Sequence, residues 1–299
     1  MTLCNEVSEV VRACFSGIWI QSHEPQDAIA ETAAMCREEG WQLAVWDIDQ
    51  GLCAPNGVPM DSDASDPLAA VRALGSMGSP NDTSVLVLQN FHRFLNSPEI
   101  VQAVSRAVID GKANRKFVVV LSPLVKLPVE LEKLFVVVEH ARPDRDQLNE
   151  IASSIATEVG EMPEGTPLES LLDAAAGLTR YEAEGAFSLS LVRHDRLQPD
   201  TIWELKTGML KKSGLLSLHR GAGDELEHLG GLNALKSFCR RSLLRPASVD
   251  SPARARGVML LGLPGVGKSA FCKALGQETN RPTLTLDVGA MMGSLVGQT

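Results

Sequence analysis

Residues 262–269 read Gly-Leu-Pro-Gly-Val-Gly-Lys-Ser and match the pattern Gly-x-x-x-x-Gly-Lys-Ser/Thr. The apolar run 257–261 directly before them predicts a β-strand, and residues 269–275 predict a helix. Glycines let such a loop turn its backbone N–H groups inward, and the N-terminus of the following helix adds the positive end of its dipole. This order of strand, loop and helix predicts a loop that binds the phosphates of a nucleoside triphosphate, with ATP as the expected nucleotide.

Two side chains of the loop carry the expected chemistry. Lys268 supplies a cation for the β- and γ-phosphates, and the Ser269 hydroxyl is placed to coordinate Mg²⁺. ATP and Mg²⁺ are therefore the expected cofactors. The nucleotide-binding residues predicted from the loop are Gly262, Leu263, Pro264, Gly265, Val266, Gly267, Lys268, Ser269 and Ala270.

The segment after the loop lacks the acidic strand end that ATP hydrolysis requires for Mg²⁺ and for the attacking water. Only residues 282–288 read as a further strand. Glu278 lies in a predicted polar turn, and Asp287 lies on the wrong strand for this role by motif order. We therefore predict no catalytic residue within the chain, and we interpret the chain as a fragment of a longer protein.

A first α/β layer precedes this unit. Its apolar runs alternate with helical patterns, which indicates a parallel sheet with helices on both faces. The predicted strands are residues 17–21, 42–47, 84–88, 116–121 and 135–138, and the predicted helices are 25–39, 67–77 and 98–110. Trp19, Trp41 and Trp46 are predicted to lie in the core.

The sequence from residue 144 to about residue 193 predicts helices without strands. Thr179 and Glu182 form a capping-box pattern at the start of one of them. The further predicted helices are 144–159, 168–176, 198–213 and 233–243, with a glycine-containing linker at 214–224 and a polar connection at 246–256. The predicted domains are a degenerate α/β domain (1–143), a helical lid (144–196), a helical linker (197–256) and a partial α/β domain (257–299).

The turn after the first strand predicts a nucleotide site that has been lost. Residues 21–25 read Gln-Ser-His-Glu-Pro, without glycine or lysine, and Glu24 stands at the helix start where a phosphate would lie. Gln89 and Asn90 follow the third predicted strand in place of an acidic pair, and amides carry no charge for Mg²⁺. We interpret the isolated His23 and His92 as structural.

Composition lowers the expectation for several classes of partner. The net charge of −9 makes non-specific binding to nucleic acid or an anionic membrane unfavourable. The six cysteines show neither CxxC nor zinc-ligand spacing, which favours free thiols in a reducing compartment. The N-terminus lacks the pattern of a signal peptide, and no apolar run approaches the ~20 residues of a membrane helix. A cytoplasmic protein is expected.

The order of a degenerate α/β layer, a helical lid, a linker with two glycines and a second α/β layer resembles AAA ATPases. Several segments resemble one subfamily, the uncharacterised AAA-domain proteins of algal plastids and cyanobacteria, so a plastid-encoded chain would lie in the stroma. These segments are residues 45–51, 66–70, 90–95, 122–132 and 286–298.

The resemblance implies a ring-forming ATPase that remodels a protein or other macromolecular partner. It also implies that a Walker B pair, a sensor residue and an arginine finger lie beyond Thr299. It places backbone contacts to adenine around Gly230, for which a plain helix-opening turn is the alternative. Residues 293–298 match the position of a central pore loop, with Leu295 and Val296 where many members have an aromatic residue, which argues against polypeptide threading.

Two other functions stay open. The chain could be a non-hydrolysing protein-interaction module with a degenerate nucleotide fold. A phosphate-loop kinase is favoured less, because the two-layer order and the Leu-Pro-Gly-Val-Gly-Lys-Ser loop are more typical of AAA proteins.

Overall fold

The structure, a computed structural model, divides into two compact units, Met1–Leu197 and Gln198–Thr299. The finer division of the sequence into four domains stays a prediction. The structure describes residues 3–60, 64, 66–79, 82–212, 214–220, 226–243, 258–279 and 282–289.

The first unit alternates strands and helices and then continues in helices alone. Its strands are β1 (Gly17–Gln21), β2 (Gln42–Asp47), β3 (Gly51–Cys53), β4 (Ser84–Gln89), β5 (Lys116–Ser122) and β6 (Phe135–Glu139). Its helices are α1 (Leu3–Arg12), α2 (Pro25–Glu39), α3 (Pro67–Ala73), α4 (Pro98–Asn114), α5 (Arg145–Ile155), α6 (Thr166–Ala175) and α7 (Arg180–His194).

These six strands form one sheet in the order β3-β2-β4-β5-β1-β6. All neighbours pair in parallel except β3, which pairs antiparallel with β2. Successive residues of β4 enter two different apolar clusters, Val85 with α1 and α2, and Leu86 with α3 and α4. A strand covered on both faces is apolar throughout, which is why these runs were recognisable. The predicted parallel α/β layer flanked by helices is confirmed.

Two elements of this unit were absent from the sequence-based prediction. Helix α1 buries Leu3, Val7 and Val11, four residues apart, against the sheet. Strand β3 has three residues and lies between the predicted strand 42–47 and the predicted helix 67–77, where no element was predicted. Of the predicted core tryptophans, Trp19 and Trp46 are fully buried, and Trp41 is partly buried against the core.

Two of the three helices in the helical part of the first unit, α5 and α7, begin with a side-chain cap. The Thr179 hydroxyl accepts from the backbone N–H of Glu182 at 3.1 Å, and the Glu182 carboxylate accepts from the backbone N–H of Thr179 at 2.9 Å. The predicted capping box is therefore confirmed. Asp144 and Gln147 form the same reciprocal pair at the start of α5. Each box satisfies two backbone donors that the helix itself leaves unpaired.

A buried lysine closes the end of the sheet opposite to the strand carboxyl ends. Lys116 Nζ lies 2.6 Å from the carbonyl oxygen of Met77, 3.2 Å from that of Ser79 and 3.1 Å from that of Asp82. It also lies 3.0 Å from Ser84 Oγ. Three ammonium protons are thus shared among four oxygen acceptors, which ties the segment before β4 to β5.

Lys116→Met is expected to lower the free energy of unfolding of the first unit by about 2 kcal/mol. Methionine keeps the length of the side chain but leaves the buried carbonyl oxygens without their donor. Urea denaturation followed by circular dichroism measures the change. Lys112→Met, at an exposed position of α4, is the matched control and is expected to change stability little. Equal losses in the two variants would contradict the role given to Lys116.

The second unit contains α8 (Pro199–Lys211), β7 (Leu216–His219), α9 (Asn233–Leu243), α10 (Lys268–Glu278) and β8 (Thr283–Leu286). Strands β7 and β8 pair antiparallel. The predicted linker 214–224 is therefore wrong at residues 216–219, which form β7. Leu-Ser-Leu-His is short and alternates polarity, so only its pairing with β8 makes it a strand. The predicted polar connection 246–256 lies outside the described residues.

Candidate nucleotide-binding site

The glycine-rich loop requires glycine at two positions because of its backbone. Gly265 has φ +83° and Gly267 has φ +90°, in the left-handed region that residues with a Cβ avoid. Gly267 is also the N-cap of α10. A Cβ on Gly262 would lie 3.0 Å from Val266 Cγ2, so the first glycine lets the loop close on itself.

Lys268 is positioned by the loop that it follows. Its Nζ donates to the carbonyl oxygen of Gly262 at 2.8 Å and to that of Leu263 at 2.7 Å. Within the described residues these bonds use two of the three ammonium protons, so one proton remains for an anion. The sequence analysis did not identify the two carbonyl oxygens as partners, because backbone acceptors leave no pattern in the sequence.

The first turn of α10 supplies the remaining donors. The N–H of Phe271 closes the first helical bond to the carbonyl of Gly267, which leaves the N–H groups of Lys268, Ser269 and Ala270 without partners in the helix. Ser269 is exposed at the second helical position. The loop, these donors and the ammonium fit the phosphates of a nucleotide, and the hydroxyl fits one position in the coordination of Mg²⁺.

The segment directly before the loop is not the β-strand that was predicted for residues 257–261. Residues 258–261 form no strand, Gly257 lies outside the described residues, and Met259 and Leu261 are 84% and 87% exposed. A strand exists only through hydrogen bonds to a neighbour. In this unit β8, which lies within the second predicted strand 282–288, pairs with β7. Leu260 alone packs inward, against a cluster that contains Phe271 and Ala274 of α10.

The upstream glycine Gly230 lies in a turn before α9. Gly231 has φ +71° and Leu232 has φ +60°, so two consecutive residues have left-handed backbone there. Leu229, the residue before this turn, packs against the same small cluster as Phe271 of α10. The turn and the helix of the loop thus share one core, while the contact of Gly230 with adenine stays a prediction.

The two residues with a carboxylate after the loop make contacts to other elements of the second unit. Glu278 Oε1 lies 2.7 Å from Arg240 Nε, which joins α10 to α9. Asp287 follows β8 at the point where its backbone N–H donates to Leu215. Among the described residues no group of three or more His, Cys, Asp or Glu side chains could hold a metal ion. The predicted pore-loop segment 293–298 lies outside the described residues.

Burial shifts the pKa values of His92 and Cys36. Burial lowers the pKa of His92, and the charges of Arg93 and Lys126 lower it further, so His92 is neutral at pH 7. His23 is exposed. All six cysteines are free, and burial raises the pKa of Cys36 to about 12, which keeps that thiol protonated. The structural interpretation of the two histidines stays a prediction.

Three successive parts of the chain match known protein families. Residues 3–140 match the profile of the SpoVK-like AAA ATPase N-terminal domain, and residues 146–213 match that of the SpoVK-like AAA ATPase second domain. Residues 258–299 match the ATPase family associated with various cellular activities. The chain belongs to the AAA ATPase family. The expected family resemblance is thereby confirmed.

Relatives among curated AAA proteins are distant in sequence. The chain is 24% identical to the uncharacterised AAA domain-containing protein ycf46 of Guillardia theta, over 85% of this chain and 51% of that protein. It is also 24% identical to the ycf46 protein of Trieres chinensis, over 78% and 48%. The chain therefore spans about half the length of these relatives.

The similarity to solved structures is weak. The HORMA:CdnC:Trip13 complex of E. coli MS115-1 matches with a TM-score of 0.46 at 12% identity, over 68% of this chain and 85% of that one. PCH-2 of C. elegans matches with a TM-score of 0.42 at 10% identity, over 71% and 68%. Among the described residues no helix has the length and apolarity needed to cross a membrane.

Proposed function

We propose that this AAA chain binds ATP with Mg²⁺ through residues 262–270, with Gly230 near the adenine. The observation that carries the proposal is the position of Lys268, whose ammonium is held by two loop carbonyls at the N-terminus of α10. A cation and free helix N–H groups on one side of a glycine loop favour the phosphates of a nucleotide. Equilibrium binding of fluorescent ATP to the full chain tests the proposal.

We further propose that the chain is part of a longer ATPase with the four predicted domains. In the intact protein, ATP hydrolysis in a homo-oligomeric ring would drive the remodelling of a macromolecular client. Membership in the AAA family and the greater length of the relatives support this proposal. The gene is then expected to continue past Thr299 with an apolar strand that ends in Asp-Glu, and a natural stop codon directly after Thr299 would contradict it.

The proposed location is a reducing compartment, either the cytoplasm or, for a plastid-encoded chain, the stroma. The six free thiols support it. The net charge of −9 argues against nucleic acid or an anionic membrane as a non-specific partner.

A second candidate is a protein-interaction module that does not hydrolyse ATP. It is favoured by the exposed loop and by the irregular segment 258–261, since a loop without its strand is less well organised for a ligand. Submicromolar ATP affinity that requires Lys268 would contradict this candidate. Affinity too weak to measure in the full-length protein would support it.

Ser269→Ala is expected to remove the contribution of Mg²⁺ to ATP affinity, a loss of about tenfold. ATP titrations in excess Mg²⁺ and in EDTA measure this loss. The affinity of the variant should be lower than that of the unchanged chain in Mg²⁺ and equal to it in EDTA. Ser217→Ala, at an exposed position of β7, is the control. An equal loss in EDTA would show that Ser269 acts on the phosphates without the metal.

A further inference from the structure

In the first unit, the turn between β1 and α2 occupies the position that a phosphate-binding loop has in a strand-loop-helix site. The turn is closed by internal bonds: Ser22 Oγ accepts from the backbone N–H of Glu24 at 2.9 Å and lies 2.7 Å from His140 Nδ1. The backbone N–H of Ser22 donates to Ser122 at 3.0 Å. Because Ser22 continues the pairing of the sheet, no widened loop is present here to surround a phosphate.

The residue at the start of α2 points to another helix. Glu24 is the N-cap of α2 but makes no side-chain cap there. Its Oε1 instead accepts from the backbone N–H of Tyr181, in the first turn of α7, at 3.2 Å. A carboxylate at a helix N-terminus satisfies the same donors and the same dipole as a phosphate oxygen does.

An ion pair lies beside this hydrogen bond. Asp27 Oδ2, in the first turn of α2, lies 2.9 Å from Arg180 Nε at the start of α7. Glu184 on the same face of α7 is 3.8 Å from Arg180 Nη1. Arg142, which follows β6, donates to the carbonyl oxygen of Gly177 before α7. Three side chains from the α/β layer therefore reach the start of α7.

The space between the two helix starts has the wrong charge for a nucleotide. It is a cavity of about 590 Å³. Its formal charges are four carboxylates against two guanidinium groups, contributed by Glu24, Asp27, Glu182, Glu184, Arg142 and Arg180. ATP carries several negative charges and would meet a net negative surface. The arginines are already used by Asp27 and by a backbone carbonyl.

We propose that Glu24 and Asp27 stand in for the nucleotide in the first unit. They hold α7, and with it the helical segment α5–α7, against the α/β layer whether or not ATP is present. The first unit is then a fixed platform that does not open and close with nucleotide. This inference does not depend on the proposed ATP site in the second unit.

Hydrogen exchange of the full chain, followed by mass spectrometry, tests the proposal. Glu24→Ala combined with Asp27→Ala is expected to speed exchange at the start of α7 by about tenfold relative to β5 in the same sample. Glu24→Gln, which keeps an acceptor oxygen but loses the charge, should have a smaller effect. The matched control is Glu38→Ala, an exposed carboxylate on the same helix. A rise at α7 no larger than that at β5 would overturn the proposal.

The second part of the hydrogen-exchange test is the addition of nucleotide. Saturating ATP with Mg²⁺ is expected to leave exchange across residues 145–194 unchanged, both in the unchanged chain and in Lys268→Ala. Protection of residues 145–194 by ATP that survives in Lys268→Ala would place nucleotide in the first unit and overturn the inference. Failure of the proposed second-unit site would instead appear as unchanged exchange at residues 262–275.

Discussion

Replacing Lys268 by alanine is expected to lower the affinity of the chain for ATP by about hundredfold or more. The ammonium carries the only positive charge of the loop, and two backbone carbonyls already hold it in place. Charge-assisted bonds to phosphate are stronger than neutral ones, and a hundredfold loss corresponds to about 2.8 kcal/mol. Isothermal titration or fluorescence anisotropy with labelled ATP measures the change.

Lys273→Ala is the matched control for this prediction. It removes the same charge from the same helix, α10, but lies beyond the first turn. ATP affinity should stay within about threefold of that of the unchanged chain. Comparable losses in the two variants would mean that ATP responds to the net charge of α10 and not to the loop.

Gly111→Ala is expected to destabilise the first unit by about 3 kcal/mol or more. Alanine inside a helix normally stabilises it by up to about 1 kcal/mol, because glycine loses more backbone freedom on folding. Here a Cβ on Gly111 would lie 2.0 Å from the backbone carbonyl oxygen of Lys116, the first residue of β5. Helix α4 would have to move away from the strand that it covers.

Gly185→Ala is expected to have the opposite effect on the stability of the first unit. Gly185 lies in α7, and a Cβ there would meet no atom within 4 Å. The substitution should therefore leave stability unchanged or raise it by up to about 1 kcal/mol. Urea denaturation of Gly111→Ala and Gly185→Ala under the same conditions distinguishes the effect of close packing on stability from that of helix propensity. Stabilisation by Gly111→Ala would contradict the packing of α4 on β5.

Two segments that directly precede helices in this chain have opposite chemistry. Before α10, a glycine-rich loop brings together an ammonium and N–H groups that have no partner within the helix. Before α2, the turn presents the carboxylate of Glu24, which already has a partner in α7. The first arrangement can accept an anion, and the second supplies one. If both proposals hold, the second unit responds to nucleotide and the first unit does not.

The parallel strands were predictable almost residue by residue, whereas short elements were not. Strand β1 was predicted with its observed bounds, Gly17–Gln21, because a strand buried on both faces shows a continuous apolar run. Strands β3 and β7, with three and four residues, carry too few side chains for a pattern. The run 257–261 has the pattern of a strand, yet its described residues 258–261 pair with no neighbour.

The sequence by itself determined the glycine-rich loop at residues 262–269 and the absence of such a loop after β1. Both are local patterns, in which the residue types and their spacing are sufficient. Only the tertiary structure decided what replaces the missing loop, since Glu24 and the N–H of Tyr181 are 157 residues apart along the chain. The same holds for Gly111 and the carbonyl of Lys116, where the distance between a helix and a strand determines which residue fits. Such contacts depend on how the elements pack, and no local pattern records them.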